Sequence, residues 1–153
     1  MPQIVSLVIE LVVFRFRQDR PEFLILQRTD SESLHPGMWQ IITGTIAGGE
    51  TAQETARREL AEETGLNALR FWSVPYVSVF YDPRSDSVHC SPFFAAQVAE
   101  GAEPQLSAEH RQALWLQRAE AKRRLVWPSH REGLDRTFDY IISGEEGGAR
   151  LLL

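Results

Sequence analysis

A single cysteine, Cys90, stands in 153 residues, so an internal disulfide is excluded and the thiol reads as a structural side chain in a reducing compartment. Long apolar runs are also missing. The stretch that begins at Ile4 is broken by Ser6 and Glu10, well short of the roughly 20 residues that span a bilayer, and no basic segment precedes it. It reads as a buried strand of a cytoplasmic protein with no membrane partner. Positive charge is in deficit, with 16 Lys and Arg against 21 Asp and Glu and a net charge of −5. That balance argues against a nucleic acid polymer as partner, and any anionic ligand would need the sign reversed locally. Repeats and low-complexity tracts are absent. What remains, 43% hydrophobic and 24% charged residues, is ordinary globular usage. We read one domain over residues 1–145 and a tail, 146–153, without assigned structure.

Runs of β-branched and aromatic residues mark strands at 4–16, 22–28 and 38–44, the last entered through a His-Pro-Gly turn. Two longer runs, 70–81 and 88–98, flank the turn-rich "DPRSDS" and predict a hairpin. Pro75 and Pro92 within them cannot donate to a ladder, which puts those points at an edge or a bulge. A short strand at "QALWLQ" leads into a helix over 118–125. Leu134, Phe138, Ile141 and Ile142 then give one apolar face to a final helix over 131–143, ended by Gly144. A mixed sheet with helices on both faces, an α/β (α+β) sandwich, is the economical architecture.

The segment "GETAQETARRELAEETGL" concentrates acid in a way that opposes its own stability. Thr51 followed three residues later by Glu54 is a capping box and Gly65 a C-terminal cap, which predicts a helix over 52–64. Glu59, Glu62 and Glu63 stand at i, i+3 and i+4 and so share one side of a single turn. Their mutual repulsion, at about 0.2–0.5 kcal/mol per pair, adds to the negative end of the helix macrodipole, worth about 0.3–1 kcal/mol per charge. A solvated polar face would not need this arrangement. A hard divalent cation resolves it, because clustered carboxylate oxygens suit Mg²⁺ or Mn²⁺. Arg58 is placed to relieve part of the strain through Glu54 and Glu62, four residues to either side.

From Gly44 the chain reads Gly, five residues, Glu50, seven residues, Arg58-Glu59-Leu60, one residue, Glu62-Glu63, one residue, Gly65-Leu66. Over these 23 residues it resembles the Nudix hydrolases at every defined position of their box. The resemblance implies a Nudix-type α/β/α sandwich around a central mixed sheet. It further implies Mg²⁺-dependent hydrolysis, with Mn²⁺ as the other candidate ion, of a nucleoside or other diphosphate linked to a further group. It makes Glu59, Glu62 and Glu63 the metal ligands, Glu59 or Glu62 the base, Arg58 the arginine that orients them, and Glu50 a supporting carboxylate. Gly44 opens the turn beside the phosphates. Beyond the box, "ILQR", "WQIITG", "SPFFAAQV", "LSAEHRQALWL" and "WPSHREGL" are similar to bacterial dihydroneopterin triphosphate pyrophosphatases and related nucleoside triphosphate pyrophosphohydrolases. By that likeness Glu109 is a fourth acidic metal ligand from a distant loop.

Three further residues suit such a substrate. Arg28 closes a strand ahead of the box and can pair with phosphates. Trp39 and Gln40 offer a ring face for a base or pterin and an amide for its polar edge. His35, His89, His110 and His130 show no metal-ligand spacing and read as structural or surface residues, with His110, beside Glu109, a weak exception. The leading expectation is cleavage of a nucleoside or pterin triphosphate into monophosphate and pyrophosphate by a monomer or homodimer. A dinucleoside polyphosphate, ADP-ribose or nucleotide-sugar hydrolase, and a ligand-sensing module without turnover, are the alternatives.

Overall fold

A computed structural model describes residues 1–31 and 35–153. Among these, eight strands form one mixed sheet: β1 (Gln3–Val5), β2 (Val8–Arg17), β3 (Arg20–Arg28), β4 (Trp39–Gln40), β5 (Ile42–Thr45), β6 (Arg70–Asp82), β7 (Ser87–Gln97) and β8 (His110–Leu116). At its centre, β2 runs antiparallel to β3 along one stretch and to β5 along another, and parallel to β7. β3 continues the sheet through β4 and β8. β6 and β7 make the long hairpin expected from "DPRSDS", whose turn is held by Asp82 accepting from Arg84 N at 2.9 Å and from Ser85 Oγ at 3.0 Å. The hairpin register shifts between Val74 and Val77, and Val77 faces Pro92, so both prolines sit at the predicted irregularity.

Strand alternation distributes the core to two faces. Ile9, Leu11 and Val13 of β2, with Leu24 and Leu26 of β3, face helix α1 (Ala52–Thr64), which returns Ala56 and Leu60. Val12, Phe14, Phe23 and Ile25 face the other way, under α2 (Arg118–Arg124) and α3 (Pro128–Thr137), which supply Ala121 and Leu134, with Leu125 just after α2. Full burial of a side chain such as Leu60 or Leu134 is worth about 1.5–3 kcal/mol. The result is the three-layer α/β/α sandwich that the sequence predicts.

Helix α1 has the predicted bounds because both ends are chemically specified. Thr51 Oγ1 accepts from Glu54 N at 3.2 Å, while the Glu54 carboxylate accepts from Thr51 N at 2.8 Å. At the other end Gly65 takes φ +65°, a left-handed conformation that side chains disfavour, and donates to Ala61 O.

Besides shifts of one or two residues at other element ends, the structure differs from the sequence reading in the following places. The first and third predicted strands are each divided, at residues 6–7 and at Ile41. The last helix begins at Pro128 rather than Arg131, since proline at the first helical position forfeits no hydrogen bond, and it continues as a π-helical turn over Phe138–Ile142. The tail is ordered into α4 (Glu145–Arg150) and docks on β6. Ser73 N donates to Leu151 O at 3.0 Å, Leu153 N to Phe71 O at 2.9 Å, and the Trp72 indole to Gly148 O at 2.8 Å.

Candidate functional site

The acidic helix begins where β5 ends, and Arg58 ties that junction together. Its Nε and Nη2 donate to the two oxygens of Glu50 at 2.8 and 3.0 Å, Nη1 donates to Glu59 at 2.8 Å and Glu62 at 3.0 Å, and Nη2 also reaches Thr45 O at 3.2 Å. A fork of this kind fixes three carboxylates at once, which an ammonium could not do. The expected Arg58–Glu54 contact is not made, because Glu54 is turned back to Thr51 by the capping box. Glu50 takes that place. The Arg58 hydrogen bonds, helped by Thr55, bring the Glu50 carboxyl down to about 2.

The three carboxylates predicted to share one side are graded in depth. The Glu63 residue is 4% exposed, while the side chains of Glu59 and Glu62 are 13% and 58% exposed. Burial, reinforced by the charges of Glu59 and Glu109, pushes the Glu63 carboxyl up to about 9, and its Oε2 has no hydrogen-bond partner among the described residues. Burial also raises Glu59, against the lowering effect of Arg58. Gly44 is where Glu59 needs it: the glutamate side chain lies against the bare Cα, in space that a Cβ would occupy.

Glu109 arrives from the loop ahead of β8, where its carbonyl accepts from Thr29 N at 3.0 Å. Ligand atoms of Glu63, Glu109 and His110 all lie within 4.8 Å of one another. His110 is buried, with Nε2 at 3.1 Å from the Gln40 amide nitrogen and Nδ1 without a partner. Burial and then the nearby Arg28 push its imidazole down to about 4, so it is neutral. Arg28 is close enough to counter Glu63 electrostatically as well.

These groups open on a cavity of about 850 Å³, lined by Arg28, Gln40, Gly44, Glu59, Glu63 and Glu109. Glu10 and Val8 of β2, Tyr76, Ser78 and Phe80 of β6, and Trp127 and His130 at the start of α3 line it as well. Trp39 does not line it. Strand alternation sends Gln40 into the cavity and Trp39 the other way, onto the second core face, where the Arg124 guanidinium stands 5.4 Å from its ring centroid. The tryptophan at the cavity is Trp127, whose ring meets that of His35 edge-on at 5.3 Å.

The histidines also differ from expectation. His35, His89 and His130 line the cavity and His110 joins the carboxylate cluster, although they come from a loop and three separate elements. Sequence spacing could not reveal that convergence. Glu10 had a visible signal, as a carboxylate inside an otherwise apolar strand.

The donor set fits a hard divalent ion. Carboxylate oxygens dominate it, and a buried Glu63 oxygen and a neutral His110 nitrogen lack protein partners. Each orphan of this kind costs free energy unless something completes it.

Comparison with known proteins bears on the same residues. The family model described as NUDIX domain matches residues 8–137, a span that contains the helix, Arg28 and Glu109. The dihydroneopterin triphosphate diphosphatase of Haemophilus influenzae is 32% identical over 120 residues, which cover 69% of this chain and 72% of that protein. An octanoyltransferase of Myxococcus xanthus is 30% identical over 135 residues, 84% of this chain, but the chain spans only 35% of that relative's length. Among solved structures, a C. elegans Ap4A hydrolase binary complex superposes with a TM-score of 0.74 at 20% identity, covering 90% of this chain and 98% of the other. The match over most of the chain, together with the arrangement of acidic helix, Arg58 and Gly44, places this protein in the NUDIX domain family.

Proposed function

We propose that this protein hydrolyses a phosphoanhydride bond in a nucleoside or pterin triphosphate, releasing the monophosphate and pyrophosphate. One observation carries the reading: Glu59, Glu63 and Glu109 converge with Arg28 on one wall of a cavity large enough for a nucleotide, and a buried Glu63 oxygen there lacks a partner. The similarity to a dihydroneopterin triphosphate diphosphatase supports the same substrate class.

Glu59, Glu62, Glu63 and Glu109 would hold Mg²⁺ or Mn²⁺. When bound, such ions supply the positive charge that offsets the negative charge on phosphate oxygens. Arg28 adds a guanidinium on the same wall for the substrate phosphates. Glu59 accepts the proton of the attacking water. It lines the cavity whereas Glu62 does not, and the hydrogen bond from Arg58 to its Oε1 fixes its rotamer. Glu62, held by the same guanidinium nearer solvent, would complete the ion's ligand set from the rim. Gln40 orients His110 beneath the carboxylates. Cavity walls of Val8, Tyr76, Phe80 and Trp127 exclude water from the ring of the substrate.

Phosphorus NMR in Mg²⁺ of a panel of triphosphates, dinucleoside polyphosphates, ADP-ribose and nucleotide sugars tests the reading. Pyrophosphate and a monophosphate are expected. Orthophosphate alone, or AMP with a sugar phosphate from ADP-ribose, would replace it with the other hydrolase class. No turnover on any substrate would reject catalysis.

A further inference from the structure

The cavity wall made by the β6–β7 hairpin carries a polar row with no role in the chemistry above. Ser78 of β6 and Ser91 of β7 stand directly opposite each other in the antiparallel ladder, so their side chains share one face at a Cβ separation of about 4.5–5.5 Å. Both residues line the cavity and are buried, at 7% and 4% exposure. Neither hydroxyl has a hydrogen-bond partner among the described residues, and neither is sealed off from the cavity.

Strand preference makes this row unexpected. β-branched and aromatic residues suit such positions, and a buried hydroxyl without a bond costs free energy that an alanine would not. Serine also leaves depth that a valine would fill. The neighbouring positions on the same face are aromatic. Two residues along β6, Phe80 stacks on its cross-strand partner His89, with ring centroids 5.0 Å apart and planes at 13°. Ser87 Oγ, 2.9 Å from His89 Nε2, steadies that ring. Two residues the other way, Tyr76 leans on the Phe93 ring at 4.8 Å. Tyr76, Phe80 and His89 all line the cavity. Ring walls and a hydroxyl floor thus form a trough on two paired strands.

Resting on the triphosphate reading above, we propose that this trough seats the heterocyclic ring of the substrate, with Ser78 and Ser91 hydrogen-bonding the polar atoms on its edge. A serine hydroxyl rotates to donate or to accept. The pair therefore takes ring nitrogens, oxo groups and amino groups alike. It rejects a ring whose edge is hydrocarbon, because both hydroxyls would then stay unpaired. Selection by this row is for a polar edge rather than for one base.

The test uses nucleosides without phosphate, in EDTA, so that metal and turnover play no part. Calorimetric titration of the full chain compares guanosine, adenosine and benzimidazole riboside, whose six-membered ring carries only C–H groups on its edge. The first two should bind at least about tenfold more tightly than the third. In Ser78→Ala and in Ser91→Ala, checked for folding by circular dichroism, affinity for guanosine and adenosine should fall about three- to tenfold, as for one lost hydrogen bond. Affinity for benzimidazole riboside should stay within about twofold. An equal loss for all three ligands would assign the hydroxyls to the ribose or to a structural role and overturn the inference, as would unchanged affinities or no measurable binding of any nucleoside. If neither variant folds, the comparison of ligands in the unaltered protein decides alone. The expected pattern without triphosphate hydrolysis would leave the inference standing while removing the proposed reaction. Triphosphate hydrolysis by a protein whose alanine variants bind all three nucleosides unchanged would do the reverse.

Discussion

Gly44 and Glu59 share one volume: a Cβ built on Gly44 would lie 2.6 Å from Glu59 Cδ and 2.8 Å from its Oε1. The glycine is thus a steric requirement of the carboxylate across from it. Gly44→Ala must displace Glu59, and a shift of about 1 Å in a catalytic group can cost on the order of 100-fold. We expect kcat to fall by that order with a stability loss of about 1–3 kcal/mol. Steady-state kinetics and thermal melts of the variant check this, and an unchanged kcat would show that Glu59 is not position-critical.

Removal of metal should make stability depend on pH in a defined direction. The Glu63 carboxyl is raised from its ordinary 4.5 to about 9 by burial and neighbouring charge. Between those values the folded state keeps a proton that the unfolded chain has lost, so unfolding free energy declines as pH rises from about 4.5 toward 9. Metal ligation requires the deprotonated carboxylate, so Mg²⁺ should restore stability most at the alkaline end and release protons on binding. Melting in EDTA and in MgCl₂ across this range measures both effects. Coincident, pH-independent curves would contradict them.

Glu63→Gln follows from the same burial. The variant removes an ionisable group, so in EDTA near pH 8 it should melt higher than the parent while losing Mg²⁺ stabilisation. Glu62→Gln, at the solvent edge, should preserve the fold and abolish most hydrolysis. Melting in EDTA near pH 8 separates the two variants, because only Glu63→Gln is expected to melt above the parent.

Arg58→Lys should keep the charge and lose the fork that holds Glu50, Glu59 and Glu62. Groups that orient metal ligands are typically worth 10–100-fold. A drop of that size in metal affinity is expected, read by Mn²⁺ titration with electron paramagnetic resonance.

Two tryptophans give opposite expectations. Trp127→Ala should raise KM about tenfold, as a lost ring contact worth ~1 kcal/mol or more. Trp39→Phe should leave KM unchanged and lower stability, because Trp39 packs on the core side of the sheet.

The helix from Ala52 to Thr64 was legible to the residue because capping chemistry is local: Thr51, Glu54 and Gly65 each act within four positions. The box and its carboxylates could be read for the same reason. Trp39 was misplaced because the divided strand near Ile41 and its alternation are set by pairing with β3, which local sequence does not encode. Glu10, His110 and His130 were underrated for a related cause. Their importance comes from β2, β8 and α3 meeting in space, and the approach of His130 to Glu10 joins residues more than a hundred positions apart in the chain.

The docking of the last residues on β6 has a consequence for handling this protein. β6 is an outer strand, and unpaired N–H and C=O groups on such a strand can recruit another chain. Three hydrogen bonds from the 148–153 segment occupy that rim around Trp72. Removal of residues 146–153 would uncover it and invite pairing with another chain, so this segment acts as a cover for the strand edge.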